Sequence, residues 1–203
     1  MVATVTVNEI TGTAGGKVYT PITNRVRLFA ADQATDQGTP QTTNPVVIPA
    51  SAPPYYYSYW KAICLDLAGS GFTISNIRHY TNGDINWSWG TGGGIRRGNR
   101  DSGDIGCPDA NYQQASGLSV GHGAGISGDA IEDAVNGHAY YNAQSVPVSD
   151  LNADLSGSPP VVDAGPYSAA GKTNHIVVQV KVDDDAVQGA QTPKQFTWKY
   201  DEQ

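Results

Sequence analysis

Glycine and proline recur so often along this chain that long helices have no room. The sequence holds 24 Gly and 12 Pro in 203 residues, and stretches such as Thr39-Pro40-Gln41-Thr42-Thr43-Asn44-Pro45 interrupt any helical period. What lies between the breaks reads as strand. In His175-Ile176-Val177-Val178-Gln179-Val180-Lys181-Val182, the residues Ile176, Val178, Val180 and Val182 share one face while Gln179 and Lys181 stand on the other, the alternation of a half-buried strand. Phe196-Thr197-Trp198-Lys199-Tyr200 repeats it with three aromatics on one side. The polar connection 183–193 joins these two strands either as a hairpin or as an arch between two sheets.

Earlier segments extend the pattern. Residues 3–7 alternate Thr with Val, Lys17-Val18-Tyr19-Thr20 forms a short strand, and Arg25-Val26-Arg27-Leu28-Phe29 is expected to form another. Residues 55–67 are rich in strand formers but too long for one plain strand, so a bulge or a passage from exposed to buried is expected. Phe72 to Ile77 and Ile85 to Trp89 read as neighbouring strands turned at Asn82-Gly83-Asp84. Residues 90–134 are glycine-rich, too long a stretch to stay structureless in a compact domain unless it is functional or ordered by a partner. One short helix is expected at 128–134. The whole predicts an all-β fold: a single antiparallel β-sandwich over 1–203, immunoglobulin-like or jelly-roll-like, with a long Gly-rich insertion at about 90–134.

Charged residues are 15 % of the chain, against roughly 25 % in an average soluble protein. The surface is therefore dominated by Thr, Ser, Asn, Gln and Gly, suited to hydrogen-bonded contact. A net charge of −7 argues against nucleic acid, whose phosphates demand basic partners. The one basic cluster, Arg96, Arg97 and Arg100, is followed by Asp101 and Asp104. No run approaches the roughly 18 apolar residues of a membrane helix, so no membrane insertion is expected. The N-terminus lacks the basic start and apolar core of a signal peptide.

The most pointed feature is the aromatic group Tyr55, Tyr56, Tyr57, Tyr59 and Trp60, with Trp87 and Trp89 further on. Such rings stack on sugars or anchor protein interfaces. Alternation assigns Trp87 and Trp89 to the core, and at least one of the tyrosines to a surface. Asp101, Asp104 and Asp109, in a Gly-containing loop, are the candidate calcium ligands, since calcium takes hard oxygens on flexible backbone. Calcium is the only cofactor candidate. Asp183-Asp184-Asp185 reads as a solvated turn whose mutual repulsion a cation would relieve. The histidines His79, His122, His138 and His175 form no HxH or HExxH pair, so surface or strand-end positions are expected. Cys64 reads as a buried thiol and Cys107 as a loop thiol, a disulfide between them staying open; without CxxC spacing a zinc site is not expected. No G-x-S-x-G elbow or phosphate-binding loop is present, so the chain reads as a non-enzyme.

The C-terminal strands, with Asp185-Ala186-Val187-Gln188-Gly189 between them, resemble the last two strands of immunoglobulin-like surface sandwiches. With its Thr/Gly/Asn-rich body, the chain also resembles virion structural proteins of tailed viruses, of the decoration or minor capsid type. That resemblance implies a structural or assembly protein of a virion or extracellular particle. It would act by self-association as a homo-oligomer or by docking on a shell of other structural subunits, with residues 2–7 and 90–134 as contacts. A carbohydrate-binding or adhesion module using the Tyr/Trp group is the alternative.

Overall fold

The computed structural model describes residues 2–23, 26–32, 44–81, 88–117, 128–189 and 193–203. It is an all-β fold of two antiparallel sheets, with no α-helix among the described residues. The strands are β1 (Thr4–Thr11), β2 (Val18–Pro21), β3 (Tyr56–Tyr57), β4 (Lys61–Ala68), β5 (Ile74–Thr81), β6 (Gly94–Gly98), β7 (Val148–Asp150), β8 (Val161–Asp163), β9 (Gly171–Lys172), β10 (Ile176–Val182) and β11 (Phe196–Glu202). Eight strands form the larger sheet in the order β2-β1-β4-β10-β6-β7, with β3 also on β10 and β9 on β4; the smaller sheet is β11-β5-β8. Because β10 and β11 lie in different sheets, the connection 183–193 is an arch, not a hairpin.

The sandwich core lies between the sheets. Leu65 and Leu67 of β4, Ile95 of β6 and Val178 and Val180 of β10 meet Ile74 and Ile77 of β5 and Val162 of β8, with Phe196, Trp198 and Tyr200 of β11 packed against them. A bulge sets the phase of β5. Asn76, at φ 50°, is an extra residue that shifts the pairing with β11 between Lys199 and Asp201, so Ile74 and Ile77 both point inward although three residues apart. Asparagine tolerates this left-handed conformation, and its Nδ2 donates to Asp201 at 2.8 Å.

Strand β10 is not half-buried, as its alternation predicts, but buried on both faces: Val177 and Gln179 are fully covered. The cover is a third layer laid on the outer face of the large sheet by irregular chain after β6. Ala115, Ile131 and Tyr141 from that layer close over Trp60 and Val177, and Tyr112 closes over Ile10, Ala62 and Cys64. The described part of the Gly-rich region 90–134 is thus partly strand β6, a member of the large sheet, and partly this layer, while residues 118–127 lie outside the described residues. No helix forms at 128–134, which folds as turns: Gly137 brings its backbone against Asp133, leaving 2.3 Å between an added Cβ and the Asp133 carbonyl, and the chain reverses there. Val26 to Phe29 is not a strand, and the Phe29 ring is instead buried beside Lys61. Residues 55–67 do break as expected, β3 and β4 both lying along β10 with Ser58 between them bonded to Val180. The turn at 82–84 and Trp87 lie outside the described residues; Trp89 packs on the core.

On the inner face of β1, Val5 and Val7 are followed by Glu9, which meets Lys61 of β4. The Nζ–Oε1 distance is 3.1 Å and both side chains are almost fully buried. Lys61 also donates to the Ala31 carbonyl at 3.1 Å and lies over the Phe29 ring. Desolvation lowers the Lys61 pKa and Glu9 opposes that fall, so each charge depends on the other. Glu9→Gln is expected to lower stability by about 3–5 kcal/mol in urea unfolding, and the double replacement Glu9→Leu/Lys61→Met to recover most of that loss.

Candidate functional site

The residues singled out by sequence do not converge. Trp60 is only 2 % exposed and donates from Nε1 to the Gln113 carbonyl at 3.1 Å; Tyr57 is buried beneath the Arg96 guanidinium. These two rings belong to the interior and leave any surface platform to Tyr55, Tyr56 and Tyr59, all partly exposed. Tyr55 carries the Lys181 ammonium 3.5 Å above its ring.

Asp101, Asp104 and Asp109 are each engaged separately. Asp101 accepts from the Ser145 amide and hydroxyl and the Val146 amide, which holds its carboxyl below the ordinary range. Asp104 accepts from Ser102, and Asp109 from Lys17 and Tyr19. The carboxylates of Asp183, Asp184 and Asp185 do lie together, but they accept from Gly92, Ala52 and Thr91 and thereby fasten loops. The basic cluster is likewise used internally: Arg97 is buried and donates to the His79 carbonyl at 2.6 Å, Arg96 pairs with Glu132, and Arg100 lies over Tyr140.

What the fold does bring together is Cys107, His138 and His175, whose ligand-type atoms all lie within 4.8 Å of one another. All three are 0–1 % exposed. His138 and His175, expected at the surface or at strand ends, are both interior, His175 just before β10, and the cysteine expected as a loop thiol is interior as well. The third layer is the reason, since Cys107 and His138 belong to it and it closes over His175 just before β10.

Each of the three is held by backbone. Cys107 and His175 face each other as an antiparallel pair, with reciprocal amide–carbonyl bonds of 2.7 and 3.0 Å. His138 sits in a tight turn where its amide donates to the Ile131 carbonyl at 2.9 Å and its carbonyl accepts from Tyr141 and Asn142. Gln113 clamps that turn, accepting from the Ala139 amide at 2.8 Å and donating to the Gly137 carbonyl at 3.3 Å. The Trp60 and Tyr141 rings flank the His138 imidazole, and Tyr112 meets His175 edge-on.

The electrostatics follow from burial. Desolvation pushes the Cys107 thiol up to about 12 and pulls His138 down to about 3 and His175 to about 4, so both imidazoles are neutral at physiological pH. The thiol contacts the carbonyls of Pro108 and Asn111 at 3.6 and 3.5 Å. The Tyr140 amide reaches His138 Nδ1 at 3.3 Å. Nε2 of both histidines is buried with no hydrogen-bond partner, unusual for polar atoms in a native interior. Beside the cluster a groove of about 390 Å³ opens to the surface between Arg100, Asn111, Tyr112, Gln113, Ala139 and Tyr140. The molecule is thus an all-β sandwich with an added outer layer and a Cys–His–His cluster beneath it. No protein-family model, no curated protein and no solved structure matches this chain.

His79, the remaining described histidine, lies elsewhere: on β5, facing the inter-sheet core, stacked on Phe196 and tilted against Trp198, with the Arg97 guanidinium as the charge facing it. Burial and Arg97 hold its pKa well below 6.5. The folded chain therefore excludes a proton that the unfolded chain takes up below about pH 6.5, and its contribution to stability, complete above that pH, is lost as pH falls, by up to about 1.4 kcal/mol per pH unit. Urea unfolding between pH 7.5 and 5 is expected to show a pH slope smaller by about one proton in His79→Gln than in the wild type.

Proposed function

We propose that this chain is a non-enzymatic structural or assembly protein of a virion or other extracellular particle, acting by self-association or by docking on a shell of structural subunits. The observation that carries this reading is the chemistry of the sheet edges. Strand β2 ends one side of the large sheet with Val18 55 % exposed, and β8 ends the small sheet with Val161 37 % exposed. Val146, beside β7 at the opposite edge of the large sheet, is 55 % exposed. Edge strands present unpaired backbone donors and acceptors, and β-branched side chains along them suit a partner strand. The weakly charged, hydrogen-bonding surface supports the same kind of contact.

Within this reading, the contact surfaces are β2, β7 and β8 together with residues 2–7, of which Val2 is 84 % exposed. Light scattering over a range of concentrations is expected to give masses above the 21.4 kDa monomer. Val18→Lys/Val161→Lys is expected to weaken association at least about tenfold by placing a charge on each edge. A chain that is monomeric at every concentration, or a variant that associates like the wild type, overturns the edge-contact reading.

A further inference from the structure

We propose that Cys107, His138 and His175 bind one zinc ion per chain, through Sγ and the two Nε2 atoms, and that the ion fastens the outer layer to the large sheet. The inference goes beyond the assembly reading and does not depend on it.

Three observations converge on the site. The three donor atoms lie within 4.8 Å of one another. On each imidazole the Nε2 atom is buried without a hydrogen-bond partner, which makes it the nitrogen left free for a metal. A groove lined by the neighbours of all three residues lies beside them: Asn111 contacts Cys107 Sγ, Tyr112 packs on His175, and Ala139 and Tyr140 follow His138. The groove brings solvent to residues that adjoin each of the three, although none of the three lines it.

The donor set selects the class of ion. A thiolate with two imidazoles is unsuited to calcium or magnesium, which take oxygen ligands, and suits zinc, which accepts nitrogen and sulfur and imposes no geometry of its own. Zinc–nitrogen and zinc–sulfur bonds of about 2.0–2.3 Å separate tetrahedral donors by roughly 3.3–3.8 Å. Starting within 4.8 Å, the side chains close by at most about 1.5 Å, a movement available to side-chain torsions while the backbone bonds of the Cys107–His175 pair stay fixed.

The proton balance is simple. Cys107 releases its thiol proton to solvent, and each imidazole stays neutral with its proton on Nδ1; in His138, whose Nδ1 accepts from the Tyr140 amide in the empty site, that proton moves over from Nε2. In His138 this turns Nδ1 into a donor, so the long contact from the Tyr140 amide opens on loading. The bound ion joins a loop of the outer layer, a turn of the same layer and the residue leading into β10. Binding energy available only to the folded chain then stabilises the layer that has least regular structure.

The test uses the full chain stripped with a chelator and reloaded with zinc alone. After gel filtration one zinc per chain is expected, with a melting temperature raised by at least about 5 °C when free zinc is a thousandfold above its Kd. Cobalt in place of zinc is expected to give the thiolate charge-transfer and tetrahedral ligand-field absorptions, the former lost in Cys107→Ser. His138→Gln and His175→Gln are expected to lower zinc affinity at least about tenfold, with His79→Gln, a buried histidine outside the cluster, retaining it. The cobalt spectrum and the melting shift are read on wild-type protein, so they decide the matter even where a variant fails to fold. No stoichiometric zinc and no melting shift in the wild type overturns the proposal. Zinc retained equally in the three ligand variants overturns it too, as does copper giving a thiolate band where zinc leaves the melting temperature unchanged.

Discussion

The amide of Gln179 holds the layers of this protein together. From the middle of β10 its Nε2 donates to the carbonyls of Ser58 at 2.8 Å and Asp129 at 2.6 Å, while its Oε1 accepts from the Ile131 amide and the Arg96 guanidinium, both at 3.1 Å. Two donors and two acceptors are thus all engaged on one buried side chain. The partners belong to the break between β3 and β4, to the irregular outer layer and to β6, so a single residue sets the register of three segments against the central strand. A polar group placed there without that complete set would cost more than it contributes.

The layer so anchored turns a two-layer sandwich into a three-layer molecule over part of its surface. It lets Trp60, Cys64 and Val177, on the outer face of the large sheet, become as buried as residues of the inter-sheet core. It also creates the enclosed space in which Cys107, His138 and His175 meet. Long irregular chain can line such a site because its backbone groups are satisfied locally, through the Gln113 clamp, the turn at His138 and the Tyr141 hydroxyl bonded to the Ile105 carbonyl at 2.6 Å.

Much of the sandwich was legible from alternation. The inward residues of β10 and β11 and the break in residues 55–67 follow from side-chain periodicity and strand propensity. Other features carried no such signal. Gln179 read as solvent-facing because periodicity records the spacing of residues along one strand and not what covers its second face, a cover that also buries Val177. The bulge at Asn76 left Ile74 and Ile77 out of phase with simple alternation. Glu9 and Lys61 look like ordinary surface charges until β1 and β4 pair and place them together. The helix expected at 128–134 lost to turns, where Gly137 permits a close backbone approach and tertiary packing of Ile131 outweighs local propensity.

The sequence alone determined the fold class, since glycine and proline spacing excludes long helices and period-two hydrophobicity demands sheets with buried faces. It also set the low charge that suits the surface to polar contact. Only the tertiary structure decided that the two C-terminal strands part into different sheets and that irregular chain covers the large one. The meeting of one cysteine and two histidines from three distant segments was decided there too. Local patterns depend on neighbours a few residues away, whereas a cluster of this kind depends on long-range pairing, and no spacing rule along the chain encodes it.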